Sequence, residues 1–186
     1  MLIVGCGCRG RMLGERLLSD GWAVRGTSRR EEGLAAIEAA GIEPALANPD
    51  RPGTLLDLVG DVAVLAYLLG SAEGEPDAVA AIHGPRLERL LEHLVDTPVR
   101  GFVYEAAGSA DPRLLAAGAE IVRTAGRTWR IPVEIVGAEP GRPSAWAEEM
   151  ADAALGVVSP PGKTKGINSD RNLGRSPDFR DLEAAE

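Results

Sequence analysis

LIVGCGCRGRMLGERLLSDGWAVRGTSRR, residues 2–30, decides the fold. Leu2-Ile3-Val4 is a short apolar run with the character of a buried strand. Gly5, Gly7 and Gly10 follow at the spacing G-x-G-x-x-G, and Leu13, Leu17 and Leu18 then mark one face of a helix. A second strand ends at Thr27-Ser28-Arg29-Arg30. Each glycine has a physical task in such a unit. Gly5 permits the tight turn out of the strand, Gly7 lets a diphosphate approach bare backbone, and Gly10 lets the helix pack close to the strand. Cys8 leads into a helix that opens at Arg9, whose unpaired N–H groups and positive dipole end suit an anion. The stretch therefore reads as a βαβ unit that binds a dinucleotide.

The end of the second strand bears on which dinucleotide. An acidic residue there accepts hydrogen bonds from the adenosine ribose of NAD. Thr27, Ser28, Arg29 and Arg30 supply hydroxyls and two guanidinium groups instead. Arginine's fork matches phosphate oxygens, so NADP is favoured over NAD. Arg9 is expected near the same phosphate or the adenine. The competing reading has Arg29 and Arg30 opening the next helix in solvent beside Glu31 and Glu32.

Outward from this unit, strand and helix patterns alternate, which predicts an α/β fold with a mainly parallel sheet. Strands are expected near 2–5, 23–27, 42–47, 62–68, 101–105 and 133–136. Helices are expected near 9–20, 31–40, 54–59, 112–128 and 144–155, with a long helical region up to about 95. Gly84-Pro85 must kink that region or divide it, with Pro85 near the first position of a new helix. The expected architecture is a three-layer Rossmann fold with strand order 3-2-1-4-5-6. Residues 1–158 read as the dinucleotide-binding domain. Residues 159–186, rich in Pro, Gly and mixed charge, read as a polar tail: flexible, an arm over the surface, or an arm toward a second copy of the chain.

The 186 residues carry a formal charge of −8, with 45% hydrophobic and 26% charged residues. No basic stripe points to nucleic acid or an anionic membrane, and no stretch approaches transmembrane length. The first residues lack the pattern of a secretory signal. Cys6 and Cys8 flank Gly7 and cannot staple distant parts of a fold, which suits a reducing cytoplasm. Each reads as a small side chain in a crowded turn. Two isolated histidines and no acidic cluster at ligand spacing argue against a metal site.

The opening segment resembles that of atypical short-chain dehydrogenase/reductases, in particular NAD(P)-binding proteins grouped with epimerases and dehydratases. AGIEPALANPD (40–50) resembles their third strand and the loop near adenine, which would place Asn48 at the cofactor. DVAVLAYLL (61–69) resembles their fourth strand, GFVYEAAGS (101–109) their fifth, and AEIVRTAGRTWRIPVEIVGAEP (119–140) a later helix and sixth strand. The resemblance implies a bound NAD(P) and a small-molecule substrate, which the sequence does not identify. The chain departs from the family at the catalytic motif. Tyr-x-x-x-Lys occurs nowhere: Tyr67 is followed by Ser71, Tyr104 by Gly108, and the lysines are Lys163 and Lys165. Ala106 and Ala107 stand where a serine is expected.

In an open α/β sheet the ligand crevice lies beyond the C-terminal strand ends, where the strand order reverses. Ala66, Tyr67 and Leu68 are expected there, with Glu105 and Gly137-Ala138-Glu139. Three residues are candidates for proton transfer. Tyr67 would donate a hydrogen bond or stack near the nicotinamide, against a reading as core packing. Glu105 would act if burial raised its pKa, against a reading as a surface or capping carboxylate. His83 would titrate near neutrality, against a reading as a polar residue at the kink. Trp22, Trp129 and Trp146 read as packing. Three functions remain open: a cofactor-binding or sensing protein, a divergent NADP-dependent oxidoreductase or epimerase-like enzyme, and an interaction module that has lost its ligand. Homo-oligomerisation is left open as well.

Overall fold

The computed structural model describes residues 1–159, so the tail expected over 159–186 lies almost wholly outside the described residues. Six strands form one parallel sheet: β1 (Leu2–Val4), β2 (Arg25–Ser28), β3 (Glu43–Leu46), β4 (Val64–Tyr67), β5 (Gly101–Glu105) and β6 (Val133–Val136). Their order is 3-2-1-4-5-6, as expected. The helices are α1 (Cys8–Ser19), α2 (Leu34–Ala39), α3 (Gly53–Leu56), α4 (Pro76–Ile82), α5 (Pro85–Leu94), α6 (Pro112–Trp129) and α7 (Pro143–Gly156). A 3₁₀ turn at Glu31–Gly33 precedes α2 and shortens the helix expected over 31–40.

Proline sets the helix starts. Pro76, Pro85, Pro112 and Pro143 each occupy the first turn of a helix, where the missing N–H would have no partner anyway. Of the two outcomes expected at Gly84-Pro85, the structure has the division into α4 and α5. Asp111 caps α6 by accepting from Arg113 N at 2.8 Å.

Alternation along the strands sorts the core into two apolar layers. Leu2, Val4, Leu65, Tyr67, Phe102 and Tyr104 face the layer that includes α5 and α6. Ile3, Val64, Ala66 and Val103 face the opposite layer, with Leu13 of α1 and Trp146 and Met150 of α7. The same parity fixes where the chemistry-bearing side chains point. Tyr67 and Tyr104 go to the α5–α6 face. Glu105, two residues after Val103, goes to the face of α1 and α7. Among the described residues no helix is long and apolar enough to cross a membrane.

Candidate functional site

The reversal of strand order falls between β1 and β4, which pair in register through Leu2–Leu65, Ile3–Ala66 and Val4–Tyr67. A cleft of about 470 Å³ opens above it. Its walls come from the turn after β1, the ends of β2 and β3, the loop after β4, the last residue of β5 and Trp146 of α7.

Gly5 takes φ +84°, a left-handed conformation that L side chains rarely adopt. Its N–H donates to the buried Thr27 hydroxyl at 3.2 Å, and Cys6 N donates to Thr27 O at 3.0 Å, so β2 braces the turn. Gly7 is the N-cap of α1, and no side chain caps the helix. A Cβ on Gly7 would meet nothing within 4 Å. The turn is therefore open, with the first N–H groups of a 12-residue helix facing the cleft. A Cβ on Gly10 would lie 3.1 Å from Gly5 O, which accounts for the close fit of helix on turn. Cys6 is buried and its thiol is pushed up to about 11, whereas Cys8 is exposed.

The structure gathers most of the sequence-derived cofactor residues at the cleft. Gly5, Gly7, Cys8, Gly10, Thr27 and Ser28 line it, as do Arg29, Asn48 and Leu68. Arg29 reaches across its mouth and donates from Nη2 to Glu73 O at 3.3 Å. Asn48 Oδ1 accepts from Asp50 N at 3.0 Å, which shapes the loop after β3. Ser28 Oγ accepts from Arg30 N at 3.2 Å, and the Arg30 side chain stands in solvent outside the cleft lining. Ala66 is buried in the sheet on the α1–α7 face.

Two proton-transfer candidates lie in the core. Tyr67 is 1% exposed, and its hydroxyl donates to Ile82 O at 2.8 Å. Its ring stacks on those of Phe102 and Tyr104. Burial raises its pKa far above the ordinary tyrosine value. His83 does more than mark the kink after α4. It is 1% exposed, with Nδ1 2.8 Å from Tyr104 Oη and Nε2 3.1 Å from Leu69 O. A carbonyl can only accept, so Nε2 carries the proton and Nδ1 accepts from the tyrosine. Burial holds the His83 pKa below its ordinary value of 6.5. The native state thus keeps His83 neutral, while the unfolded chain takes up a proton as pH falls through about 6.5. Stability linked to this residue is complete above that pH and is lost below it, by up to about 1.4 kcal/mol per pH unit. Thermal melts between pH 5 and 8 should show this acid limb in the wild type and a shallower one in His83→Gln.

Glu105 corrects the surface or capping reading. It is 1% exposed, Oε1 lies 3.1 Å from Arg9 Nη2, and Oε2 accepts from Gly70 N at 2.9 Å. Burial raises its pKa, and Arg9 and the Gly70 N–H partly offset that. Arg9 also departs from expectation. Expected near the 2′-phosphate or the adenine, it lines the cleft, but its guanidinium turns to the end of β5, bonds Ser71 Oγ at 3.0 Å and lies 5.4 Å from the centre of the Trp146 ring. Ser71 had no role in the sequence reading, and Trp146 was read there as packing alone. Trp146 is core packing and cleft wall at once, 1% exposed with its indole edge toward Glu105. Nothing in a single sequence marks that double role, because it depends on α7 crossing α1.

No family model and no curated protein sequence matches the chain. Solved structures do match. BdcA from E. coli superposes with TM-score 0.62 at 18% identity, over 82% of this chain and 88% of its own. A short-chain dehydrogenase/reductase superfamily protein from Agrobacterium tumefaciens with bound NAD gives TM-score 0.60 at 22% identity, over 72% of this chain and 47% of its own. The UDP-glucose 4-epimerase of Thermotoga maritima gives TM-score 0.62 at 13% identity, over 72% of this chain and 53% of its own. The chain spans about half the length of the latter two. These likenesses concern architecture: the chain has the Rossmann-like α/β fold of short-chain dehydrogenase/reductases and nucleotide-sugar epimerases, at low sequence identity.

Proposed function

We infer that the cleft binds a nicotinamide dinucleotide, NADP in preference to NAD, and that the protein works by binding or sensing this cofactor. The observation that carries the reading is the open turn at Gly7. It leads into a helix with no side-chain cap, where a diphosphate finds bare N–H groups and no obstructing atom. Cys8 and Arg9 would offer backbone N–H groups to the diphosphate. Arg29, at the end of β2, would meet a 2′-phosphate. Its hydrogen bond to a neutral carbonyl leaves the guanidinium charge available. The nicotinamide half would then lie over β4 and β5, the second half of the fold.

Titration with NADPH and NADH, followed by thermal shift, tests the reading. A specific ligand raises the melting temperature by mass action, and NADPH should do so at lower concentration than NADH. Arg29→Ala should weaken NADPH at least tenfold, the effect of one charge-assisted contact of about 1.5–3 kcal/mol, and leave NADH where it was. An unchanged preference would sink the 2′-phosphate assignment. No shift with any dinucleotide would leave the reading of an interaction module.

One observation favours a second reading, a divergent NADP-dependent oxidoreductase or epimerase-like enzyme. Both tyrosines are in the core, yet Glu105 stands at the cleft with a raised pKa, as a proton donor in their place would. Turnover of NADPH with a carbonyl substrate, abolished in Glu105→Gln, would establish it.

A further inference from the structure

The wall formed by Arg9, Ser71, Glu105 and Trp146 holds more hydrogen-bond donors than its own acceptors satisfy. Both hydrogen bonds of the Arg9 guanidinium leave from one nitrogen, Nη2, toward Ser71 Oγ at 3.0 Å and Glu105 Oε1 at 3.1 Å. Arg9 Nε and Trp146 Nε1 are buried without a partner among the described residues. The indole lies near enough to Glu105 to lower its pKa somewhat, but does not reach hydrogen-bond geometry. A buried N–H left without an acceptor is costly and uncommon in native proteins, so two at one cleft wall need a cause. Glu105 cannot supply it. Gly70 N holds its second oxygen at 2.9 Å, so the carboxylate meets the guanidinium with one oxygen rather than two. The Nε edge of the guanidinium lacks a partner, and once Nη2 turns from Glu105 to a ligand, Nε and Nη2 form the pair that a planar carboxylate matches bidentately.

We propose that Arg9 and Trp146 anchor a second site in the cleft, for the carboxylate of a small organic acid, and that Glu105 takes up a proton when this anion binds. The site rests on the dinucleotide reading for its place beside the nicotinamide half. Two carboxylates at one guanidinium in a desolvated wall do not both stay ionised. Glu105 is the one that burial already inclines toward its neutral form. Protonated, it keeps Oε2 as acceptor for Gly70 N and gains an O–H to donate to the incoming anion. The charged or titratable groups around it are Arg9 on α1 and Tyr104 beside it on β5. Tyr104 points to the opposite face and stays neutral, its pKa raised by burial. Trp146 on α7 and Ser71 and Gly70 after β4 carry no charge. Affinity for the anion must therefore rise as pH falls, because binding consumes a proton.

Calorimetric titration of pyruvate and of acetate, between pH 6 and 8, tests this with NADPH present and absent. NADPH binding is measured separately. The expected result is saturable binding, millimolar or tighter. It should tighten about tenfold per pH unit while Glu105 is ionised, with uptake of about one proton read from buffers of different ionisation heat. Glu105→Gln should bind at pH 8 as tightly as the wild type does at its acid limit, with no pH dependence. Arg9→Lys keeps the charge without the fork and should bind at least tenfold more weakly, and Trp146→Phe should also weaken binding. Three results overturn the proposal: no saturable binding to wild type and Glu105→Gln alike, tighter binding of inorganic phosphate than of either acid, or affinity indifferent to Arg9→Lys and to pH. If NADPH binds and no carboxylate does, this site fails alone. If the acids bind as described and no dinucleotide does, the cofactor reading fails and the anion site stands.

Discussion

Gly7→Asp should remove dinucleotide binding and leave the free protein as stable as before, or slightly more so. Gly7 sits at φ −74° and ψ −158°, an extended conformation open to any L residue, and its Cβ position faces empty space. An aspartate there becomes a helix N-cap. Its carboxylate accepts from the first-turn N–H groups and opposes the positive end of α1, worth a few tenths of a kcal/mol over glycine. That is a rise of about 1 °C in melting temperature for a chain of this length. The same carboxylate occupies the space and the N–H groups that a diphosphate would use, and it repels the diphosphate's charge. Affinity for NADPH should fall at least 100-fold, or about 2.7 kcal/mol. Thermal melts without ligand and fluorescence titration with NADPH read the two effects separately. Undiminished NADPH binding by the variant would mean that the cofactor, if it binds, does not use this turn.

The glycine turn was legible because its requirements are local. Gly5 answers to the turn, Gly7 leaves it open and Gly10 admits the helix, all within six residues, and each by the absence of a side chain. Strand order was legible too, since alternating strands and helices with right-handed crossovers leave few arrangements. The reading failed on side-chain direction at the C-terminal strand ends. Both Tyr67 and Glu105 were expected at the crevice; Glu105, on the α1–α7 face, lines it, but strand alternation sends Tyr67 to the α5–α6 face and into the core. Parity could have been taken from Val103 and Tyr104, because one residue of a buried strand fixes the others. No such rule reaches Arg9. Arginine is long enough to turn to either half of the cleft, and its direction is set by Glu105, 96 residues away, and by Trp146 on the last helix. Long-range partners of this kind leave no spacing in a sequence.

Gly5→Ala, two positions from the first substitution, should act in the opposite way and disable the fold before the ligand. At φ +84° an alanine is strained, by about 1–3 kcal/mol. Its Cβ would also lie 2.5 Å from Leu68 O and 2.8 Å from Leu69 Cδ2. The leucine side chain can turn away, but the carbonyl cannot. Leu68 N donates to Val4 O at 2.9 Å, so moving the Leu68 peptide disturbs the junction of β1 and β4 on which the whole cleft stands. Strain and overpacking together should cost about 3 kcal/mol, which for this length lowers the melting temperature by about 6–12 °C. NADPH affinity, measured well below the transition, should also weaken, because the Gly5 N–H loses its alignment with Thr27 Oγ1 and the turn shifts. A Gly5→Ala protein that melts with the wild type would show that the turn does not hold its positive φ in solution. The diphosphate assignment, which needs that turn to aim α1 at the cleft, would fall with it.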